Sequence, residues 1–180
     1  QKVPAVVRQA GKDSEYRYQL VAGARRHWSA TYLNIPLLVE VSDDVDDKAA
    51  FEFNQVDNIA RQDVAPISRA RTFAWAIEFY ASQLEMANAL GIDRKILRRH
   101  LALAGLPGEV FEAYGDERQV PSSHADPLQK LIENHGKERV IEACQRVGAN
   151  YQRTGKYPRP SGVLAQIKKT LEPPTRVEPA

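Results

Sequence analysis

The spacing of hydrophobic positions along the chain changes near residue 60. Before it, apolar runs that suit short strands alternate with segments whose apolar residues recur three and four positions apart. Strands are predicted in VPAVVR, YRYQLVA and IPLLVEV, and helices over about Ala24 to Leu33 and Asp46 to Ile59. After Pro66 the periodicity is helical almost throughout. It predicts a helix over about Ile67 to Tyr80, a pair of short helices within residues 83 to 101, and further helices near 108 to 114, 126 to 135, 137 to 149 and 161 to 171. The fold class read from this is α+β, with a small α/β domain over 1–62 and an all-α domain over 63–172. Residues 173–180 are rich in proline and charge and suit a linker. No internal repeat is visible.

The helix pair, QLEMANALGIDRKILRRHL, carries the strongest chemical signal. Gln83 opens a short helix, Ala87 lets two helices cross closely, Gly91 supplies the turn, Asp93 is the N-cap of the second helix, and Leu97 anchors it. Met86, Ile92 and Leu101 complete the apolar face. Outside that face stand Arg94, Lys95, Arg98, Arg99 and His100, which suit phosphates and major-groove base edges. Ser82 and Gln83, at the start of the supporting helix, are placed to meet the DNA backbone, although Ser82 also reads as a plain cap. An ordinary pair of core helices with a solvated basic face would show much of the same pattern.

Composition permits a nucleic-acid surface without demanding one. The net charge of the 180 residues is only +2, so such a surface must come from local concentration, as between Arg94 and Arg99. The acidic run from Glu40 to Asp47 reads as a solvated turn and helix start. Cys144 has no second cysteine to pair with and reads as a small buried residue in a reducing compartment. His27, His100, His124 and His135 lack metal-ligand spacing, so no zinc site is expected. With no apolar stretch of about 18 residues and no signal-peptide pattern, the expected location is the cytoplasm, without a membrane partner.

Two weaker signals lie in the first half. Gly23, Ala24, Arg25 and Arg26 follow a strand directly, and a glycine turn at a helix start beside two arginines suits an anion such as phosphate. A plain helix start fits the same residues. Trp28 and Tyr32, spaced for one helix face, are expected in the core. Asp57 and Asn58 could hold a hydrated Mg²⁺ beside phosphates, with Arg61 neutralising the same anion, or could simply end a helix.

The order of these motifs ties them together. GARRHWSA, a short β segment, DNIARQDVAPISRA, the helix pair ending in LALAGLP, and VPSSHADPLQKL together resemble the ParB family of chromosome and plasmid partition proteins over residues 1 to about 135. Within the family, IDRKILRRHLALAGLPGEVFEAY followed by HADPLQK is most similar to the SopB-like centromere-binding proteins. The resemblance implies a sulfiredoxin-like nucleotide-binding domain followed by a helix-turn-helix domain. It implies an adaptor that loads on a centromere-like site in double-stranded DNA, closes as a CTP-dependent clamp and spreads. Its partners would be a second copy in a homodimer and a ParA-type Walker ATPase, and it would reside on nucleoid or plasmid.

Carried over by position, Gly23, Ala24, Arg25 and Arg26, with Asn58 and Arg61, would bind CTP, while Asp57 and Asn58 would stand at Mg²⁺ and serve CTP hydrolysis. Gln1 and Pro4 match the end of an upstream nucleotide-binding box. Two departures bear on this. The family commonly has Glu in place of Ala24 and in place of Asp57. Nucleotide binding through arginines and backbone amides tolerates both, whereas positioning a metal or water for hydrolysis is more sensitive. The family's N-terminal ParA-contacting arm and C-terminal dimerisation domain are expected to lie outside this chain.

Two other classes stay open at this point. A sequence-specific transcriptional repressor would use the same helix pair without nucleotide switching. An enzyme on a sulfiredoxin-like first half is disfavoured, because a nucleophilic cysteine is wanted beside the phosphate-binding arginine and Ala24 is there instead.

Overall fold

The computed structural model of the chain describes residues 3–59 and 64–172, with the backbone alone described for 56–59. The chain divides into two compact units, residues 1–62 and 63–180. Its class is mixed α+β.

The first unit is built on a three-stranded sheet in the order β2-β1-β3, with β1 Ala5–Gln9, β2 Tyr18–Ala22 and β3 Val39–Val41. β1 runs antiparallel to β2 and parallel to β3. Helix α1 (Ala24–Leu33) follows β2 after one residue, and α2 (Asp47–Ile59) follows β3. Among the described residues, Ala5, Val7, Val21, Ala30 and Phe51 form the unit's buried apolar core. Arg8 braces it. Its Nη1 donates to the Val45 carbonyl at 2.9 Å, its Nε to Gln19 Oε1 at 2.9 Å, and it pairs with Asp47, joining β1, β2 and the start of α2.

Two expectations fail here for physical reasons. The predicted strand IPLLVEV shrinks to Val39–Val41, since the Ile35 N–H donates to the Ala30 carbonyl at 3.0 Å at the end of α1 and Pro36 has no N–H for a ladder. Trp28 and Tyr32 lie outside the core, 66% and 76% exposed. Ala30, the buried residue of α1, is roughly 200° around the helix from each, so the helix cannot bury both faces. The two rings stack on each other instead, with centroids 5.4 Å apart and planes 8° from parallel.

The second unit is all helix. α3 (Pro66–Ala76) starts on a proline and tightens into a 3-10 turn over Ile77–Phe79, ending the predicted long helix early. Then come α4 (Gln83–Ala89), α5 (Arg94–Ala104), α6 (Ala125–His135), α7 (Lys137–Thr154) and α8 (Pro160–Leu171). The segment Gly108–Tyr114 is a 3-10 helix whose backbone presses on α7. A Cβ on Gly148 of α7 would stand 2.5 Å from the Glu112 carbonyl oxygen. That contact explains a glycine inside α7, which runs past the expected end at 149 and stops at Gly155, in the left-handed region at φ 65°. Ile67, Leu103, Val110, Leu128, Val140 and Ile167 lie in one continuous core. Cys144 is fully buried there, and burial pushes its thiol up to about 12. Among the described residues no helix is long and apolar enough to cross a membrane.

Candidate functional site

The α4–α5 pair is held by local capping at each end. Ser82 Oγ accepts the Glu85 N–H at 3.1 Å, and the Glu85 carboxylate accepts the Ala81 N–H at 2.9 Å. Gly91 turns the chain at φ 64°, where a Cβ would meet no atom, so its requirement is conformational. Asp93 Oδ1 then accepts the Lys95 N–H at 2.6 Å and opens α5. Met86 and Ala87 of α4 and Leu97 and Leu103 of α5 are buried, while Ile92 and Leu101 are half-buried.

At about 100° per residue, Lys95 and Arg98 lie on the face of α5 opposite its buried stripe, flanked by Arg94 and Arg99. Lys95 and Arg98 are exposed, Arg99 is half-buried, and Arg94 is exposed on the flank. Gln83 is exposed at the start of α4. His100 does not belong to this set. It is 6% exposed, its Nδ1 donates to the Ile96 carbonyl at 2.9 Å, and its ring meets Phe73 edge-on at 5.6 Å. Burial holds its pKa below the ordinary value, so it packs as a neutral core residue rather than meeting DNA.

Arg98 has a partner that the sequence reading missed. Its Nη1 and Nη2 donate to the two carboxylate oxygens of Asp126, in the first turn of α6, at 3.1 and 2.7 Å. The pairing spans 28 residues, and no local pattern announces it. An acid in a first turn is ordinary by itself.

In the first unit, Gly23 makes the strand-to-helix turn at φ 103°. A Cβ there would stand 2.8 Å from the Ala5 Cβ and 3.1 Å from the Ala5 Cα, so both conformation and space require glycine. No side chain caps α1, so its first backbone N–H groups have no side-chain acceptor, and its first turn, with Ala24, carries no carboxylate. Arg25 is exposed. Arg26 Nη1 is engaged by the chain itself, donating to the carbonyls of Val3 and Pro4 at 2.7 and 2.5 Å. An open depression beside them is lined by Arg25, Arg26, Ser29, Ala30, Ile35 and Pro36. These residues fit an anion. Asp57 and Asn58 fall in the last turn of α2, but their side chains, like Arg61, lie outside the described residues. No cluster of three His, Cys, Asp or Glu side chains suited to a metal occurs among the described residues.

A short mixed sheet with a glycine-arginine turn, followed by a helical unit that presents a cationic helix, defines a mixed α+β chain with exposed cations at two places. No family model matches the sequence. Known proteins do. The chain is 28% identical to the chromosome-partitioning protein Spo0J of Thermus thermophilus over 97% of its own length and 66% of that protein's. It is 34% identical to the probable chromosome-partitioning protein ParB of Pseudomonas putida over 75% of its own length and 46% of that protein's. A C-terminally truncated ParB of Caulobacter crescentus, solved on its centromeric parS site, is 24% identical with a TM-score of 0.49, over 84% of this chain and 82% of that one. The chain belongs to the ParB family, and it spans about half to two thirds of the length of these two relatives.

Proposed function

We propose that the chain is a centromere-binding partition protein whose α4–α5 pair acts as a helix-turn-helix on double-stranded DNA. The observation that carries the reading is the outward face of α5, where Lys95 and Arg98, flanked by Arg94 and Arg99, stand on a helix whose opposite face is fixed in the core. In this reading Ser82 and Gln83 seat the start of α4 on the backbone, Lys95 and Arg99 meet phosphates, and Arg94 and Arg98 reach base edges. The family membership supports it, since the matched relatives are named for chromosome partitioning.

The same reading makes the domain over 1–62 a nucleotide-binding part and the turn at Gly23 its phosphate site, taking CTP. Backbone N–H groups at residues 24–26 and the Arg25 guanidinium would hold phosphate oxygens. Asp57 and Asn58 would hold Mg²⁺ there, which would neutralise phosphate charge and support CTP hydrolysis. A homodimer and a ParA-type Walker ATPase complete the proposal; the linker proposed for 173–180 lies outside the described residues. One observation favours a second reading: the engagement of Arg26 by the carbonyls of Val3 and Pro4 suits a DNA-binding repressor whose turn is structural.

Two measurements on the full chain separate these readings. Binding to duplex DNA across a salt series should lose about one unit of log–log slope on Lys95→Ala, weakening all sequences alike. An unchanged slope and affinity would refute the interface. Titration calorimetry with CTP, ATP and GTP, with and without Mg²⁺, should give selective CTP binding. DNA binding without any nucleotide binding would favour the repressor.

A further inference from the structure

Arg98 faces outward on α5, yet its guanidinium is already aligned on both oxygens of Asp126. The two side chains are 51% and 32% exposed. A pair that open contributes little to stability, so folding alone gives no reason for the alignment. The placement also works against simple DNA attraction, because a carboxylate on a phosphate-binding face repels phosphates. The Asp126 carboxyl lies below its usual range, first through the hydrogen bond from Arg98 and further through the charges of Arg98, Arg99 and Lys130. It is an anion seated among the cations of the surface assigned above to DNA.

The geometry leaves Arg98 able to do more. A guanidinium has five N–H donors. The end-on pairing with Asp126 uses one hydrogen on each Nη. The Nε–H and the second hydrogen of Nη2 remain as a parallel pair along the other edge. Two parallel donors are what guanine O6 and N7 accept in the major groove. Arg98 can therefore keep Asp126 and still meet a base. Holding a long side chain in one orientation also removes the rotamer freedom it would otherwise lose on binding.

We propose that Asp126 is a positioning residue, which fixes the Arg98 guanidinium so that its second edge reads a guanine, and whose charge opposes sequence-independent phosphate binding. The inference rests on the DNA-binding reading above. If Asp126 were merely a helix-start acid in a surface ion pair, it would affect melting temperature and leave sequence preference untouched.

The test uses the full chain to select from a random-sequence duplex library, with the unsubstituted protein, Asp126→Asn, Arg98→Ala and the double variant in parallel. Binding to random-sequence duplex and thermal melting are measured alongside. The unsubstituted protein should enrich a motif containing a guanine whose preference disappears in Arg98→Ala. Asp126→Asn, nearly the same shape, should weaken that guanine preference by about fivefold or more while tightening binding to random duplex. The double variant should be no less selective at that position than Arg98→Ala, since Asp126 acts through Arg98. Asp126→Glu keeps the charge but moves it by one methylene, so it should blunt the guanine preference and leave random-duplex binding unchanged. An Asp126→Asn motif identical to that of the unsubstituted protein overturns the proposal. Failure of the unsubstituted protein to enrich any motif overturns the DNA-binding reading, and this inference with it.

Discussion

Replacing Gly23 by alanine tests both the first unit and its proposed anion site. The substitution adds one carbon, and two independent costs follow. At φ 103° the residue sits in a region that an L side chain enters at about 1–2 kcal/mol. The new Cβ would also stand 2.8 Å from the Ala5 Cβ and 3.1 Å from its Cα, an overpacking cost of about 1–3 kcal/mol. The sum, roughly 2–5 kcal/mol, is what burying one or two large apolar side chains contributes. Among the described residues the first unit has few of those to lose: Val7, Val21 and Phe51 are its largest buried apolar side chains.

Amide hydrogen exchange read by peptide mass resolves the outcome, because each unit reports separately. Peptides from residues 3–59 should exchange about 30-fold faster or more in Gly23→Ala, the rate equivalent of the lower cost, while peptides from 64–172 keep their rates. Gly11→Ala, with nothing within 4 Å of the added Cβ, is the control for a harmless glycine replacement. Adding Ala5→Gly to Gly23→Ala removes the 2.8 Å contact but neither the 3.1 Å approach to the Ala5 Cα nor the positive φ, so the cycle isolates the share of the Cβ contact. Exchange of residues 3–59 at the original rate in Gly23→Ala would show that neither the turn conformation nor the Ala5 contact constrains this position.

Gly148→Ala should destabilise the second unit by about 1 kcal/mol, although alanine is the better helix former: a gain of about 1 kcal/mol is set against overpacking of up to about 3. A denaturant midpoint at or above that of the unsubstituted chain would contradict the 2.5 Å approach to Glu112. His100 and His124 are both held below the ordinary imidazole value, first by burial, and so stay neutral in the fold. The unfolded chain then binds more protons, and stability is fully present above about pH 6.5 and falls as pH drops through the lowered values. Melting temperature should therefore decline from about pH 7.5 to 5.5, and His100→Phe should flatten part of that decline; an equal slope in both proteins would refute a neutral buried His100. Arg25→Ala should weaken CTP binding in calorimetry without changing exchange in residues 3–59, whereas Arg26→Ala should raise that exchange, and the opposite assignment would reverse their roles.

The features legible in the sequence are those whose causes lie within a few residues. Ser82, Gly91 and Asp93 each act on backbone within three positions, so the bounds of the helix pair follow from local residues. Gly23 behaves likewise at the end of β2. What escaped depends on residues brought together by the fold. Arg8 meets Asp47 across 39 positions and Arg98 meets Asp126 across 28, distances over which neither periodicity nor capping speaks. His100 carries the same imidazole whether it faces DNA or Phe73, and only packing decides. Trp28 and Tyr32 show the converse failure. Helical spacing placed them on one face, but it could not say that Ala30 would occupy the buried one.

The paired arginines at the glycine turn show why a motif's residues need not share a task equally. Arg26 is consumed by backbone carbonyls of Val3 and Pro4, which ties the approach to β1 onto α1. Those carbonyls are hydrogen-bond acceptors that would need another donor or water if the guanidinium left. Arg25 is one residue earlier, exposed, and beside the depression bordered by Ile35 and Pro36. A phosphate can reach Arg25 without unmaking any contact that holds the first unit. To recruit Arg26 through the same Nη1, it must replace the bonds to Val3 and Pro4, and a ligand shifts a conformation only by the difference in its affinity for the two states. A loss of nucleotide affinity on replacing Arg25 would therefore measure a direct contact, whereas the same loss on replacing Arg26 would mix contact with folding.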